Sequence, residues 1–140
     1  MTKRQSNNPK RRVAPPGELD LLEVERLVAE TCYVGSALHK QYPGNYGFHP
    51  PVNPRPHKSL CDDVRSIPLE EARRLFESGI RRGMVSTCRQ GDLPKYIWCV
   101  DENGEVYEAK IGIDGYHGYR LNDENESAMR KIIVREWNAR

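Results

Sequence analysis

A chain of 140 residues with 37% hydrophobic and 30% charged positions and a mean hydropathy of −0.78 fits one domain with a modest core. It contains no run of roughly 18 apolar residues, which excludes a membrane-spanning helix, and its four cysteines form no Cys-x-x-Cys pair, which excludes a zinc ribbon. No apolar segment follows the basic start, so the expected compartment is cytoplasmic, with the thiols reduced.

The net charge of +2 conceals an asymmetry. Residues 1–17 carry Lys3, Arg4, Lys10, Arg11 and Arg12 and no acid, so the rest of the chain holds 17 of the 22 basic residues against all 20 acidic ones. A basic arm of this kind, containing Pro, Asn and Ser, reads as a disordered, solubilising terminus. Its Arg11 and Arg12 are also candidates for lying along a phosphate backbone.

Residues 18–140 read as one domain. Leu21, Val24, Leu27 and Val28 repeat at the spacing of one helical stripe, predicting a first helix over residues 20–31 that opens near Glu18. Cys32, Tyr33 and Val34 then predict a short extended segment ending at Gly35. Pro68 restarts a helix with Glu70 and Glu71 at the positive end of its dipole, Ala72, Leu75, Phe76 and Ile80 as its buried stripe, and Gly83 as its stop. Its arginines have glutamates three and four residues away, so a solvated face is expected there.

Residues 95–109 contain two β-rich runs around Asp-Glu-Asn-Gly, and Asn103-Gly104 can take the positive φ angles of a tight hairpin turn. Two strands alone are marginal, so Val85 to Cys88 and Gly118 to Leu121 are candidate partners. The chain closes with a helix from Asn122 to Arg140, capped near Asp123 or Asn125, with Ala128, Met129, Ile132, Ile133 and Trp137 on one side. The expected class is α+β: N-terminal helices packed on a small antiparallel sheet centred on the hairpin, plus a C-terminal helix.

Chemistry-bearing residues concentrate in Tyr33 to Asp63, a long proline-dense stretch with three of the four histidines; long irregular stretches inside a domain are commonly functional or disordered. His39 exchanges protons near neutral pH, and Lys40 beside it can stabilise a developing anion, the two roles that metal-free RNA cleavage requires. Neighbours on an extended segment point opposite ways, however, so the pair need not face one ligand. The second candidate is Tyr116-His117-Gly118-Tyr119-Arg120, where Gly112, Gly115 and Gly118 would let the backbone approach a ligand that the side chains stack on and bind. A glycine-rich turn with core tyrosines is the competing reading. His57 with Cys61, Asp62, Asp63 and His49 is a loose metal set that nothing completes, so no metal or cofactor is expected. No nucleophile elbow, Walker loop or dinucleotide fingerprint occurs.

Tyr33-Val-Gly-Ser-Ala-Leu-His-Lys40, Leu93-Pro-Lys-Tyr-Ile-Trp98 with Val106-Tyr-Glu-Ala109, and Tyr116-His-Gly-Tyr-Arg-Leu121 occur as three ordered blocks. In them the chain resembles a widespread set of short uncharacterised bacterial proteins, a likeness that says almost nothing of activity. The order of helices before a small antiparallel sheet is more loosely similar to the superfamily that groups barnase with colicin-type RNA-cutting toxins. That resemblance implies a metal-independent ribonuclease of toxin or defence type, with His39 as acid or base, Lys40 and Arg120 on phosphate, and His117 or Tyr119 as partner. Arg11, Arg12, Lys58 and Tyr116 would bind the nucleic acid. The alternative is a non-catalytic accessory module that binds a protein partner, or nucleic acid, through the proline-rich stretch and the basic arm. The two differ in whether His39 and residues 116–120 share one site.

Overall fold

The computed structural model describes residues 8–35 and 67–140, and over these the chain is α+β. Helix α1 spans Leu21–Glu30, and Asp20 caps it by accepting from the Glu23 amide at 2.8 Å. Helix α2 spans Leu69–Arg81, opens on Pro68, and stops where Gly83 takes a φ of 70°. The two-residue strands β1 (Arg89–Gln90) and β2 (Leu93–Pro94) form a ribbon of their own. Strands β3 (Tyr96–Val100), β4 (Val106–Ile111) and β5 (Tyr116–Arg120) form an antiparallel sheet in that order. Helix α3 spans Ser127–Asn138.

Alternation along the strands gives the sheet two buried faces. Ile97, Cys99, Tyr107, Ala109 and Tyr116 pack with Leu27, Ala72, Phe76 and Ile80 of α1 and α2. Tyr96, Trp98, Val106 and Tyr119 pack with Met129 and Ile133 of α3. The close fit of α2 depends on Gly79, where a Cβ would lie 2.2 Å from the carbonyl oxygen of Trp98.

The strand expected over 85–88 is instead a chain of isolated bridges, Val85 to Ile97 and Ser86 to Val13, and the β1–β2 ribbon follows it. In the hairpin turn Gly104 alone takes a positive φ, of 81°. Asp101 organises this turn, its Oδ1 accepting from the amides of Asn103 and Glu105, each at 2.9 Å, so Asn103 needs no left-handed conformation. Helix α3 starts later than expected because Asn122 uses its side chain in a preceding turn, accepting from the Asn125 amide at 2.9 Å. Ala128 is exposed, outside the buried stripe.

The basic arm requires the largest correction. From Asn8 it is folded onto the domain: a 3-10 turn at Pro9–Arg11 leads into an extended piece. There Ala14 donates to Val85 O at 2.8 Å and Thr87 donates back to Arg12 O at 3.0 Å. Composition pointed to disorder because it counts the arm's scarce apolar surface and not the carboxylates that Arg11 meets. Residues 1–7 and 36–66 lie outside the described residues.

Candidate functional site

The candidate residues on β5 are brought to one strand and divided between its two faces, and each is engaged within the fold. Tyr116 is 1% exposed, rests its ring 5.0 Å from that of Phe76, and donates its hydroxyl to Pro94 O at 2.5 Å. Burial pushes its phenol well above the ordinary value, against a smaller opposing effect of Arg89. His117 faces an acceptor from each ring nitrogen: Nδ1 lies 2.6 Å from Gly35 O and Nε2 lies 2.9 Å from Asp114 Oδ1. Its proton-exchanging atoms therefore hold the chain together. Tyr119 is 1% exposed and donates its hydroxyl to Glu108, and Arg120 donates to Glu105 Oε2 at 3.3 Å.

The glycines between these side chains make room for the protein itself. A Cβ at Gly112 would lie 2.7 Å from His117 Nε2, one at Gly115 would lie 2.6 Å from Cys32 O, and one at Gly118 would lie 2.6 Å from the Tyr33 hydroxyl oxygen. The spacing of glycines was a sound signal of close approach. What approaches Gly115 and Gly118 is the segment of residues 32–35, held further by Val34 and Gly35 amides donating to Tyr116 O at 3.0 and 3.1 Å.

That junction fixes one end of the 36–66 stretch. The other end re-enters at Ile67, which is 2% exposed, and Tyr33 and Ile67 line the same cavity of about 30 Å³, together with Phe76, Ile97 and Cys99. The stretch thus leaves and returns at one region of the domain. His39, Lys40 and Lys58 fall in it, outside the described residues. So does the loose metal set of His49, His57, Cys61, Asp62 and Asp63; among the described residues no cluster of His, Cys, Asp and Glu has the form of a metal site.

One buried carboxylate outside the candidate site residues gathers bonds from three segments. Glu108, 0% exposed at the middle of β4, accepts at Oε1 from Trp98 Nε1 and from Arg11 Nε, each at 2.9 Å, while the Tyr119 hydroxyl donates to Oε2. Arg11 Nη2 donates to Glu126 Oε2 at 3.0 Å. Burial works against the Arg11 charge, but Glu108 and Glu126 outweigh it and its guanidinium is held more firmly protonated than usual. Arg11 is thus withdrawn from any phosphate, whereas Arg12 is exposed. A signal did exist: a glutamate in the middle of Val-Tyr-Glu-Ala-Lys-Ile stands on the same face of the hairpin as Trp98.

No family model, curated protein or solved structure matches this chain. Among the described residues no helix is long and apolar enough to cross a membrane.

Proposed function

We propose that the chain is a non-catalytic accessory module that binds a nucleic-acid or protein partner through residues 36–66 and the basic arm. One observation carries this reading. The side chains of β5 that resembled a reaction centre are spent inside the fold, with His117 clamping Gly35 and the tyrosines filling the core. Residues 36–66 combine Lys40, Arg55, Lys58 and Arg65 with Tyr42, Tyr46 and Phe48, a composition suited to stacking bases and pairing phosphates. Lys10 and Arg12 at the exposed side of the arm add positive charge.

A second reading is a metal-independent ribonuclease with His39 as its acid or base. His39 follows by four residues the Gly35 whose carbonyl His117 holds, and it lies outside the described residues. Incubation of the chain and its His39→Ala variant with labelled RNA, without metal, separates the two. Salt-sensitive binding without cleavage supports the module; cleavage lost in the variant replaces it with the nuclease; an absence of both directs the search to a protein partner.

A further inference from the structure

The segment Asn8–Ala14 sits against the domain as a peptide sits in a receptor. Its backbone continues the sheet beyond β3, through Ala14 to Val85 and Thr87 to Arg12, and Arg140 Nη2 closes over it by donating to Ala14 O at 2.6 Å. Arg11 enters a seat made entirely by other elements: Trp98 on β3, Glu108 on β4, Tyr119 on β5 and Glu126 just before α3. Trp98 and Tyr119 bond Glu108 directly, so its carboxylate is oriented by groups that do not belong to the arm. The seat reads a fork, since Nε goes to one carboxylate and Nη2 to the other. A lysine ammonium, a compact point charge, lacks that geometry.

The residues that follow the segment, Pro15, Pro16, Gly17 and Glu18, are exposed, and Gly17 has a φ of 80°. They form a link that can redirect the arm without disturbing α1. We propose that this groove is an arginine-directed strand-binding site, and that the partner it fits is segment Asn8–Ala14 of a second copy of the chain. The same segment is the ligand already seen in the seat, and every bond it makes there is reproduced when two copies exchange arms about a two-fold axis. In the monomer the chain's own arm competes at an effective concentration on the order of millimolar, so exchange shows when chains fold at high concentration, and an added peptide binds when the chain's own arm is weakened.

The full-length Arg11→Ala chain is titrated with a synthetic peptide of residues 6–17, read by tryptophan emission and by the thermal midpoint. Saturable binding is expected, with the Arg11→Lys form of the peptide at least about tenfold weaker. Wild-type chain refolded at high concentration is expected to sediment partly as a dimer. No saturable binding, equal binding of the two peptides, or a wild-type chain that refolds only as monomer overturns the proposal. Should Arg11→Ala fail to fold alone, recovery of its circular dichroism on adding the peptide supports the seat, and failure to recover overturns it.

Discussion

Arg11 and Glu108 meet at 2.9 Å across a separation of 97 residues, with their side chains 2% and 0% exposed. An arginine that looked like part of a free tail thus closes one face of the sheet. Removing one partner of a buried pair strands the other's charge, which is far more damaging than replacing the whole group by apolar residues.

The first expectation follows from that asymmetry. Glu108→Leu alone should cost about 3–5 kcal/mol, because it leaves Arg11 deep in the fold with one of its two carboxylates gone. Combining it with Arg11→Met should recover part of that loss. Denaturant unfolding of the two single variants and the double variant measures the coupling, and purely additive losses would contradict it.

Close approach at glycine gives a second test. Gly118→Ala places a Cβ 2.6 Å from the Tyr33 hydroxyl oxygen, and Gly79→Ala places one 2.2 Å from Trp98 O. Tyr33 can shift by rotating its ring, whereas the β3 carbonyl is fixed in a sheet. Gly79→Ala should therefore destabilise by about 2 kcal/mol or more, and Gly118→Ala by less. Thermal midpoints that reversed this order would refute the packing argument.

His117→Ala should loosen the junction without unfolding the sheet. The loss of its bonds to Gly35 O and Asp114 is expected to cost about 1–2 kcal/mol. Hydrogen exchange should accelerate at the amides of Val34 and Gly35, which donate to Tyr116 O, and remain slow at Leu121, which donates to Val106 O at 2.8 Å. Equal acceleration at all three would mean that the residue supports the whole sheet.

Glu23 supplies a pH dependence with a definite sign. Hydrogen bonding by Arg26 lowers its carboxyl from 4.5 to about 2, against some burial and with help from Arg89. A carboxyl lowered by folding stabilises the protein fully above its unfolded value and loses that contribution as pH falls from 4.5 towards 2. The bridges join α1 to the β1–β2 ribbon, as Arg89 Nη1 reaches Glu23 at 3.2 Å and Arg26 Nη2 reaches Asp92 O at 3.0 Å. Glu23→Gln should lower the thermal midpoint modestly at neutral pH, as befits a surface network, and have little effect near pH 2. A difference that persisted unchanged to low pH would exclude this origin.

Local pattern made most of the scaffold legible. Val24, Leu27 and Val28 on the stripe of α1, the Pro68 start and Gly83 stop of α2, and the hairpin around Gly104 are all determined by residues within a few positions of one another, whereas Leu21, expected in that stripe, is 75% exposed at the first turn of the helix. The misreadings at the arm and at Gly118 have the opposite cause. Arg11 meets carboxylates 97 and 115 residues away, and Gly118 exists to admit Tyr33. No window along the chain contains both halves of either relationship. At the candidate site the competing reading, a glycine-rich turn with core tyrosines, describes Tyr116 and Tyr119, each 1% exposed, while the partner of His117 at Gly35 lies 82 residues away and no local pattern shows it.

Tyr33 and Ile67, which flank residues 36–66, line one cavity. The entropy of closing a chain segment rises only logarithmically, by about 0.6 kcal/mol for each doubling of length, so a change of length between Gly35 and Ile67 costs little in closure entropy alone. The junction is the less forgiving part: Gly118 admits the Tyr33 hydroxyl and Gly115 the Cys32 carbonyl, and a side chain added at either position must displace what it meets there.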